Sequence, residues 1–205
     1  YIYYNSDAIL SNLSVFDNDG NGNFTRIGIN GSYSINDVKI IDIDGDGLQD
    51  FITVEESGVS WFLNVNGTDF TEYDEMLQLV HLNQLSTVDL DGDGDLDLVT
   101  SNDGTQVNRV YLSNGNGTFA DVTRDAGVGD LSRSMGVGFG DIDNDGWQDM
   151  YVANLGQPNR LYLNDRDGTF TDVSVQAGVG FSGYNTSFVF DDFNKDGWLD
   201  IYVIT

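Results

Sequence analysis

Most of the chain consists of short runs in which apolar and polar residues alternate, or in which β-branched and aromatic residues are frequent. No window has the 3.6-residue period of an amphipathic helix, so the pattern predicts strands. One unit shows four such runs: "GVGFG" (136–140), "MYVAN" (150–154), "NRLYL" (159–163) and "TFTDV" (169–173). An Asn/Asp/Gly turn joins the third run to the fourth, and these residues accept the positive φ of hairpin turns. The unit is therefore predicted to be a four-stranded antiparallel meander.

Two motifs repeat along the chain at intervals near 50 residues. The first is an Asp-rich nonapeptide, and we call its copies loops 1 to 4: "DIDGDGLQD" (42–50), "DLDGDGDLD" (89–97), "DIDNDGWQD" (141–149) and "DFNKDGWLD" (192–200). The second motif runs in phase with the first and contains Phe24, Phe70, Phe119 and Phe170. Four strands per unit, repeated at this period, are typical of a propeller blade.

The phase of the repeat predicts an all-β chain whose residues 1–205 form one β-propeller domain. The predicted parts are strands three and four of a first blade, three complete blades, and strands one and two of a last blade: 1–34, 35–80, 81–130, 131–180 and 181–205. Two arrangements fit this phase. One is a closed four-bladed ring sealed by pairing of the two ends, and the other, which we favour, is part of a larger ring.

The Asp loops have the spacing of a calcium-binding loop. Calcium takes six to eight oxygen ligands, which a tight loop supplies from alternate side chains and one backbone carbonyl. The predicted side-chain ligands are at positions 1, 3, 5 and 9: Asp42, Asp44, Asp46 and Asp50; Asp89, Asp91, Asp93 and Asp97; Asp141, Asp143, Asp145 and Asp149; Asp192, Asn194, Asp196 and Asp200. The predicted carbonyl ligands are at position 7: Leu48, Asp95, Trp147 and Trp198. The sequence therefore predicts up to four Ca²⁺ sites.

Three details distinguish these loops from other Asp-rich segments. Position 6 is glycine in all four loops, which permits the sharp turn of a calcium loop. Position 12, where an EF-hand requires Glu, falls in strand-like runs, so the EF-hand alternative fails. The turn "DNDGNG" (17–22), which we call the acidic turn, lacks the acid at position 9 and is interpreted as a turn only.

Composition narrows the classes of partner. The net charge is −26, from 8 basic and 34 acidic residues, which favours cations and argues against nucleic acid and anionic membranes. The chain has no cysteine and no apolar stretch that approaches 18 residues, so neither disulfides nor membrane insertion are expected. No nucleophile elbow or Walker loop is present, and the single histidine, His81, has no triad pattern around it. We therefore expect no enzymatic activity.

The repeats resemble the FG-GAP/VCBS repeats of integrin-α-like β-propellers. The segments "NRLYLNDRDGTFTDVSVQAGVG" (159–180) and "FDDFNKDGWLDIYV" (190–203) are similar, more specifically, to repeats of the cartilage acidic protein (ASPIC/UnbV-type) family. The resemblance implies a ring of seven or eight blades, calcium in the first hairpin loop of several blades, and an extracellular or cell-surface location. The unit that contains loop 1 departs most from the family pattern, because it lacks the Asn-Arg pair before its third strand.

The function expected from these observations is that of a non-catalytic, extracellular calcium-binding module for adhesion or for binding a protein or glycan ligand. One alternative is an accessory propeller of a carbohydrate-active enzyme. Another is a structural, self-assembling subunit of a surface layer or filament. Asn-X-Ser/Thr sequons, which matter only in a glycosylating host, begin at Asn12, Asn23, Asn30, Asn66, Asn116 and Asn185.

Overall fold

The computed structural model describes residues 2–3, 11–33, 35–55, 58–77, 82–102 and 106–205, and His81 lies outside these ranges. Within them every regular element is a β-strand and every strand pair is antiparallel. The prediction of an all-β fold is confirmed. No helix among the described residues is long and apolar enough to cross a membrane. The chain divides into two compact units, Tyr1–Leu79 and Val80–Thr205.

The first unit contains two sheets. The first sheet has the order β1-β2-β3, with strands Ile2–Tyr3, Ser11–Asn18 and Phe24–Tyr33. The second sheet has the order β4-β5-β6-β7, with strands Ile35–Ile41, Asp50–Glu55, Gly58–Asn64 and Phe70–Leu77. The phase of the repeat predicts two strands before the second sheet, and the structure adds the short strand β1 beside them.

An aromatic cluster forms the core of the first unit. The ring of Phe51 stacks on Phe62 at 4.8 Å between centroids and lies 5.0 Å from Phe70. Ile29 of the first sheet joins this cluster, so the two sheets of the unit pack through it. Phe70 belongs to the repeated Phe motif, whereas Phe24, another member of that motif, is 56% exposed.

The second unit contains three sheets. The third sheet has the order β11-β10-β9-β8, with β8 to β11 at Leu82–Val88, Asp97–Asn102, Arg109–Ser113 and Phe119–Asp121. The fourth sheet has the order β12-β13-β14-β15, with strands Ser134–Gly140, Asp149–Pro158, Arg160–Asn164 and Phe170–Asp172; β16 (Ser182–Tyr184) pairs with β13. The fifth sheet pairs β17 with β18, at Ser187–Asp191 and Asp200–Ile204.

The second, third and fourth sheets each contain the predicted four-stranded meander. The fifth sheet consists of the two strands predicted for a last blade. Ring closure, the number of blades and the domain boundaries stay predictions, and the boundaries near residues 34 and 80 fall outside the described residues.

The core of the second unit spans its third and fourth sheets. Leu90 lies in it fully buried, and the other members are Val99, Val110, Ala126, Val128, Val137, Met150, Val152, Tyr162 and Phe170. The fifth sheet packs on the fourth through Phe188, whose ring lies 4.8 Å from Tyr151 in an edge-on contact. Gly138 allows this approach, because a Cβ there would lie 2.9 Å from the Phe188 ring.

Buried amide and hydroxyl side chains link successive sheets of the second unit. Asn108, just before β10, donates from Nδ2 to Ser134 Oγ in the fourth sheet at 2.8 Å. Ser134 Oγ donates in turn to Asn154 Oδ1 at 2.9 Å. Asn159, just before β14, accepts at Oδ1 from Asn185 Nδ2 at 2.8 Å. The sequon at Asn185 is therefore part of the buried structure, since this side chain has no exposed area.

Candidate metal centre

Each Asp loop connects the first strand of a sheet to the second. Its ninth residue is the first residue of the second strand and pairs with the residue just before the loop. The four pairs are Ile41 with Asp50, Val88 with Asp97, Gly140 with Asp149, and Asp191 with Asp200. The strand register therefore places positions 1 and 9 side by side at the end of the sheet.

The first Asp of each loop closes it internally. Its Oδ2 accepts a hydrogen bond from the amide of the position-6 glycine, with N–O distances of 2.9, 3.2, 2.9 and 2.9 Å for the pairs Asp42–Gly47, Asp89–Gly94, Asp141–Gly146 and Asp192–Gly197. These glycines have φ between 87° and 95°, a region that L side chains rarely adopt. The glycine at position 6 is thus required by the backbone of the loop.

The ninth residue ties the loop to the sheet. Asp97 accepts from Leu90 N at 2.7 Å through Oδ2 and from Ser113 N at 2.8 Å through Oδ1. Asp50 and Asp149 make the same two bonds, to Ile43 with Asn64 and to Ile142 with Asn164. Each of these three carboxylates is about 1% exposed. Burial raises the pKa of each, that of Asp97 to about 6, against the lowering effect of its two amide donors.

Three clusters of carboxylates result, one in each of loops 1, 2 and 3. In each cluster one oxygen from positions 1, 3 and 9 lies within 4.8 Å of the others: Asp42, Asp44 and Asp50; Asp89, Asp91 and Asp97; Asp141, Asp143 and Asp149. The donor atoms are all carboxylate oxygens, the hard ligands that calcium takes. The pKa of Asp91 is also raised, by burial and by its acidic neighbours. Each cluster therefore concentrates negative charge that a divalent cation would neutralise.

Position 5 does not join these clusters. Its Oδ1 accepts from the amide of position 7, at 2.7 Å for Asp46 with Leu48, 2.9 Å for Asp93 with Asp95, and 2.9 Å for Asp145 with Trp147. The structure therefore brings together three of the four predicted carboxylates in these loops. The assignment of position 5 as a ligand stays a prediction, as does that of the position-7 carbonyl.

The side chains at position 7 have unrelated surroundings, as the prediction of a backbone ligand allows. The Asp95 carboxylate lies against Gly115, where an added Cβ would be 2.3 Å from its Oδ2. The Trp147 ring lies over Gly92 of the preceding loop, 2.6 Å from where a Cβ would stand. Trp198 is 51% exposed. Loops 2 and 3 are thus in direct contact through Trp147.

Loop 4 has no third carboxylate for such a cluster, because its position 3 is Asn194. Asn194 Nδ2 donates to Asp196 Oδ2 at 3.0 Å, and Asp192 holds Gly197 as in the other loops. Asp200 accepts from Phe193 N at 3.1 Å but is not fully buried. Phe193, at position 2 of loop 4, is 56% exposed, whereas Ile43 and Leu90 at the same position of loops 1 and 2 are buried.

Loop 3 carries a basic neighbour that the sequence analysis missed. Arg166, in the turn between β14 and β15, pairs with the Asp145 carboxylate at 2.7 Å. The amide of Trp147, and then Arg166, lower the pKa of Asp145. Alignment of the repeats could have pointed to this contact. Arg166 lies 51 residues after Gly115, so a basic residue stands beside loop 3 where the preceding repeat has glycine.

The Asp19 carboxylate of the acidic turn is hydrogen-bonded by nearby residues. Asp19 accepts from Asn21 N at 2.8 Å, from Asn23 N at 3.2 Å and from Asn23 Nδ2 at 2.8 Å. These hydrogen bonds, above all that from the Asn23 side chain, lower the pKa of Asp19. It contributes to no carboxylate cluster among the described residues.

Antiparallel sheets of up to five strands, with Asp-rich loops repeated at their first hairpins, define a β-propeller-like repeat protein. The chain belongs to the FG-GAP-like repeat family, whose model matches residues 89–152 and 141–203. The family predicted from the sequence is confirmed.

Two cartilage acidic proteins are among the similar known sequences. The protein from Homo sapiens is 36% identical over 91 residues, and that from Mus musculus is 35% identical over 91 residues. The match covers 44% of this chain but only 14% of either relative, so the chain corresponds to a small part of their length.

A solved structure shares the fold. It is a structure of an Agrocybe aegerita lectin, described as the basis of specific recognition of non-reducing terminal N-acetylglucosamine. The match has a TM-score of 0.56 and 20% identity, and it covers 99% of this chain and 60% of the other. At this identity the likeness concerns the fold alone.

Proposed function

We propose that this chain is a non-catalytic, calcium-stabilised module that binds a protein or glycan ligand outside the cell. The observation that carries the calcium part is the recurrence of the same three-carboxylate cluster in loops 1, 2 and 3. Positions 1, 3 and 9 would hold the ion, with position 5 and the position-7 carbonyl completing the shell. Bound calcium would supply the positive charge that offsets repulsion among these carboxylates.

The protein's own residues prepare the loops for a cation. The amide of the position-6 glycine orients the position-1 carboxylate of each cluster. Two further backbone amides donate to the position-9 carboxylate and orient it. Each carboxylate oxygen has two lone pairs, so an oxygen that accepts one amide hydrogen bond still has a lone pair with which to bind a metal ion. Among the described residues, no ion pair joins a basic side chain to a carboxylate of loops 1 or 2. These loops therefore have charge that remains to be neutralised.

The first test is thermal unfolding of the whole chain in about 2 mM calcium and in EGTA. With three sites of about 0.1 mM affinity, calcium would add about 5 kcal/mol and raise the melting temperature by about 10 °C. Magnesium at the same concentration is the matched control, because it prefers a smaller octahedral shell that keeps its waters. An unchanged melting temperature would refute the calcium part of the proposal.

The ligand-binding part is supported by the family and by the fold shared with a lectin structure. Because that likeness shows the fold alone, a glycan array probed in calcium and again in EGTA is the direct test. Reproducible binding to a glycan class in calcium, lost in EGTA, would support a glycan ligand. Absence of glycan binding, together with concentration-dependent oligomers in sedimentation, would instead favour the structural, self-assembling alternative.

A further inference from the structure

The ion pair of Arg166 with Asp145 makes loop 3 different from loops 1 and 2. Nε and Nη2 of Arg166 both donate to Asp145 Oδ2, at 2.8 and 2.7 Å. Asp145 Oδ1 accepts the amide of Trp147 at 2.9 Å. Two N–H donors use both lone pairs of one carboxylate oxygen. The guanidinium therefore holds the oxygen that position 5 would turn toward a metal.

The repeat itself supplies the comparison for Arg166. The equivalent turn positions are Asn66 beside loop 1 and Gly115 beside loop 2, both uncharged. Gly115 has φ of 65° and Arg166 has φ of 67°, so the backbone of the turn is the same in both. A basic side chain is thus placed on this backbone only beside loop 3, in a conformation that favours glycine.

We propose that Arg166 is an internal counter-cation that weakens calcium binding at loop 3, so that loops 1 and 2 fill first. The inference rests on the proposed calcium function and concerns the order in which the loops are occupied. Calcium at loop 3 must displace the guanidinium from Asp145 or bind beside it. A unit charge about 6 Å from a divalent ion lowers affinity by about tenfold even at the dielectric of water.

The same contact stabilises loop 3 in the absence of metal. The guanidinium neutralises one of the four acids of this loop, while the equivalent acids Asp46 and Asp93 have no ion pair among the described residues. Loop 3 therefore depends less on calcium for its structure than loop 2 does. Salt weakens such exposed charge effects, so the difference in affinity should shrink at high ionic strength.

The position-6 glycine amides allow each loop to be measured separately. Gly47, Gly94 and Gly146 each donate to the first Asp of their loop, so their NMR signals report occupancy of that loop. In a calcium titration of the whole chain, Gly146 should reach its midpoint at about tenfold more calcium than Gly47 and Gly94. Arg166→Gly, which places in this turn the residue found at position 115, should bring the Gly146 midpoint to that of the other loops.

Two further variants separate charge from geometry. Arg124→Gln removes one positive charge at an exposed position outside the loops and should leave all three midpoints unchanged. Arg166→Lys keeps the charge without the planar fork and should shift the Gly146 midpoint by less than Arg166→Gly does.

Two results have distinct meanings. If calcium moves none of the glycine amides, the proposed calcium function fails. If calcium moves them all, but Arg166→Gly leaves the Gly146 midpoint within twofold of the wild type, the counter-cation role of Arg166 is refuted while calcium binding stands.

Discussion

The acidic turn at 17–22 and loop 2 at 89–97 are both rich in Asp and Gly, but the turn has two carboxylates and the loop has five. Both contain two left-handed glycines, and in both an Asp accepts two nearby backbone amides: Asp19 in the turn and Asp89 in the loop. Only loop 2 has a further acid, Asp97, that is buried at the start of a strand.

The electrostatic consequences of this difference are opposite. Hydrogen bonds lower the pKa of Asp19, whereas burial raises the pKa of Asp97 to about 6. An exposed carboxylate that is capped by its own turn has no need of a cation. The Asp97 carboxylate is buried in the sheet beside other acids, so a nearby positive charge would stabilise its anionic form. The ninth residue thus adds to loop 2 a buried acid that the acidic turn lacks.

Asp97→Ala should be the most damaging substitution in this comparison. It leaves the buried amides of Leu90 and Ser113 without their acceptor, at about 1–3 kcal/mol each. We expect the free energy of unfolding in calcium to fall by about 3 kcal/mol, measured by urea denaturation. Asp19→Ala is the control in the acidic turn and should change stability little. Equal losses for the two variants would show that Asp97 has no special role.

Substitution of Asp93 and substitution of Asp95 should have different effects on the calcium affinity of loop 2. Asp93 has a carboxylate that can turn toward the cluster, whereas Asp95 points its carboxylate at Gly115. Asp93→Asn should weaken calcium binding by about tenfold, as expected when one charged ligand is lost, while Asp95→Asn should leave it nearly unchanged. Isothermal titration calorimetry measures both. Similar losses in the two variants would mean that position 5 is not a ligand or that the Asp95 side chain is.

The smallest expected effect is on pH dependence. The folded-state pKa of Asp97, about 6, lies above its ordinary value of 3.8, so in metal-free protein this group disfavours folding as pH rises through 6. Calcium needs the ionised carboxylate, so protons compete with the ion below about pH 6. The difference in melting temperature between calcium and EGTA should therefore shrink as pH falls from about 7.5 to 5.

Asp97→Asn provides the control for this effect: it removes one of three buried loop carboxylates with raised pKa values, so it should weaken the pH dependence of the calcium effect without abolishing it. Asp19 should not contribute over this range, because its pKa is lowered and its contribution is lost only in stronger acid. A calcium effect that is constant between pH 7.5 and 5 would contradict a titrating Asp97 at the site.

The sequence was sufficient for the fold class, the family and the position of the loops. Alternation and the 50-residue period determine strands and their order, and the spacing of Asp and Gly determines the loop backbone. In each of loops 1, 2 and 3, three of the four predicted carboxylate ligands lie together, as the spacing suggests. These features are local, and each is encoded within one unit of the repeat.

Contacts between residues that are far apart along the chain were not accessible in the same way. The pairing of Arg166 with Asp145 joins residues 21 apart, and the contact of Trp147 with Gly92 joins adjacent loops. Position 2 of loop 4 has the same apolar character as in the other loops, yet Phe193 is exposed. Whether an apolar side chain becomes buried depends on the surface packed against it, which the pattern within one unit does not contain.

The buried amide links between sheets have a consequence for how such an array can grow. The hydrogen bonds Asn108–Ser134 and Asn159–Asn185 each join residues 26 apart. Asn108 and Asn159 occupy equivalent positions of successive repeats. The repeat 131–180 takes part in both bonds, because Ser134 accepts from the preceding repeat and Asn159 accepts from the following one. Duplication of this repeat would therefore place matching polar groups at the junction between the two copies.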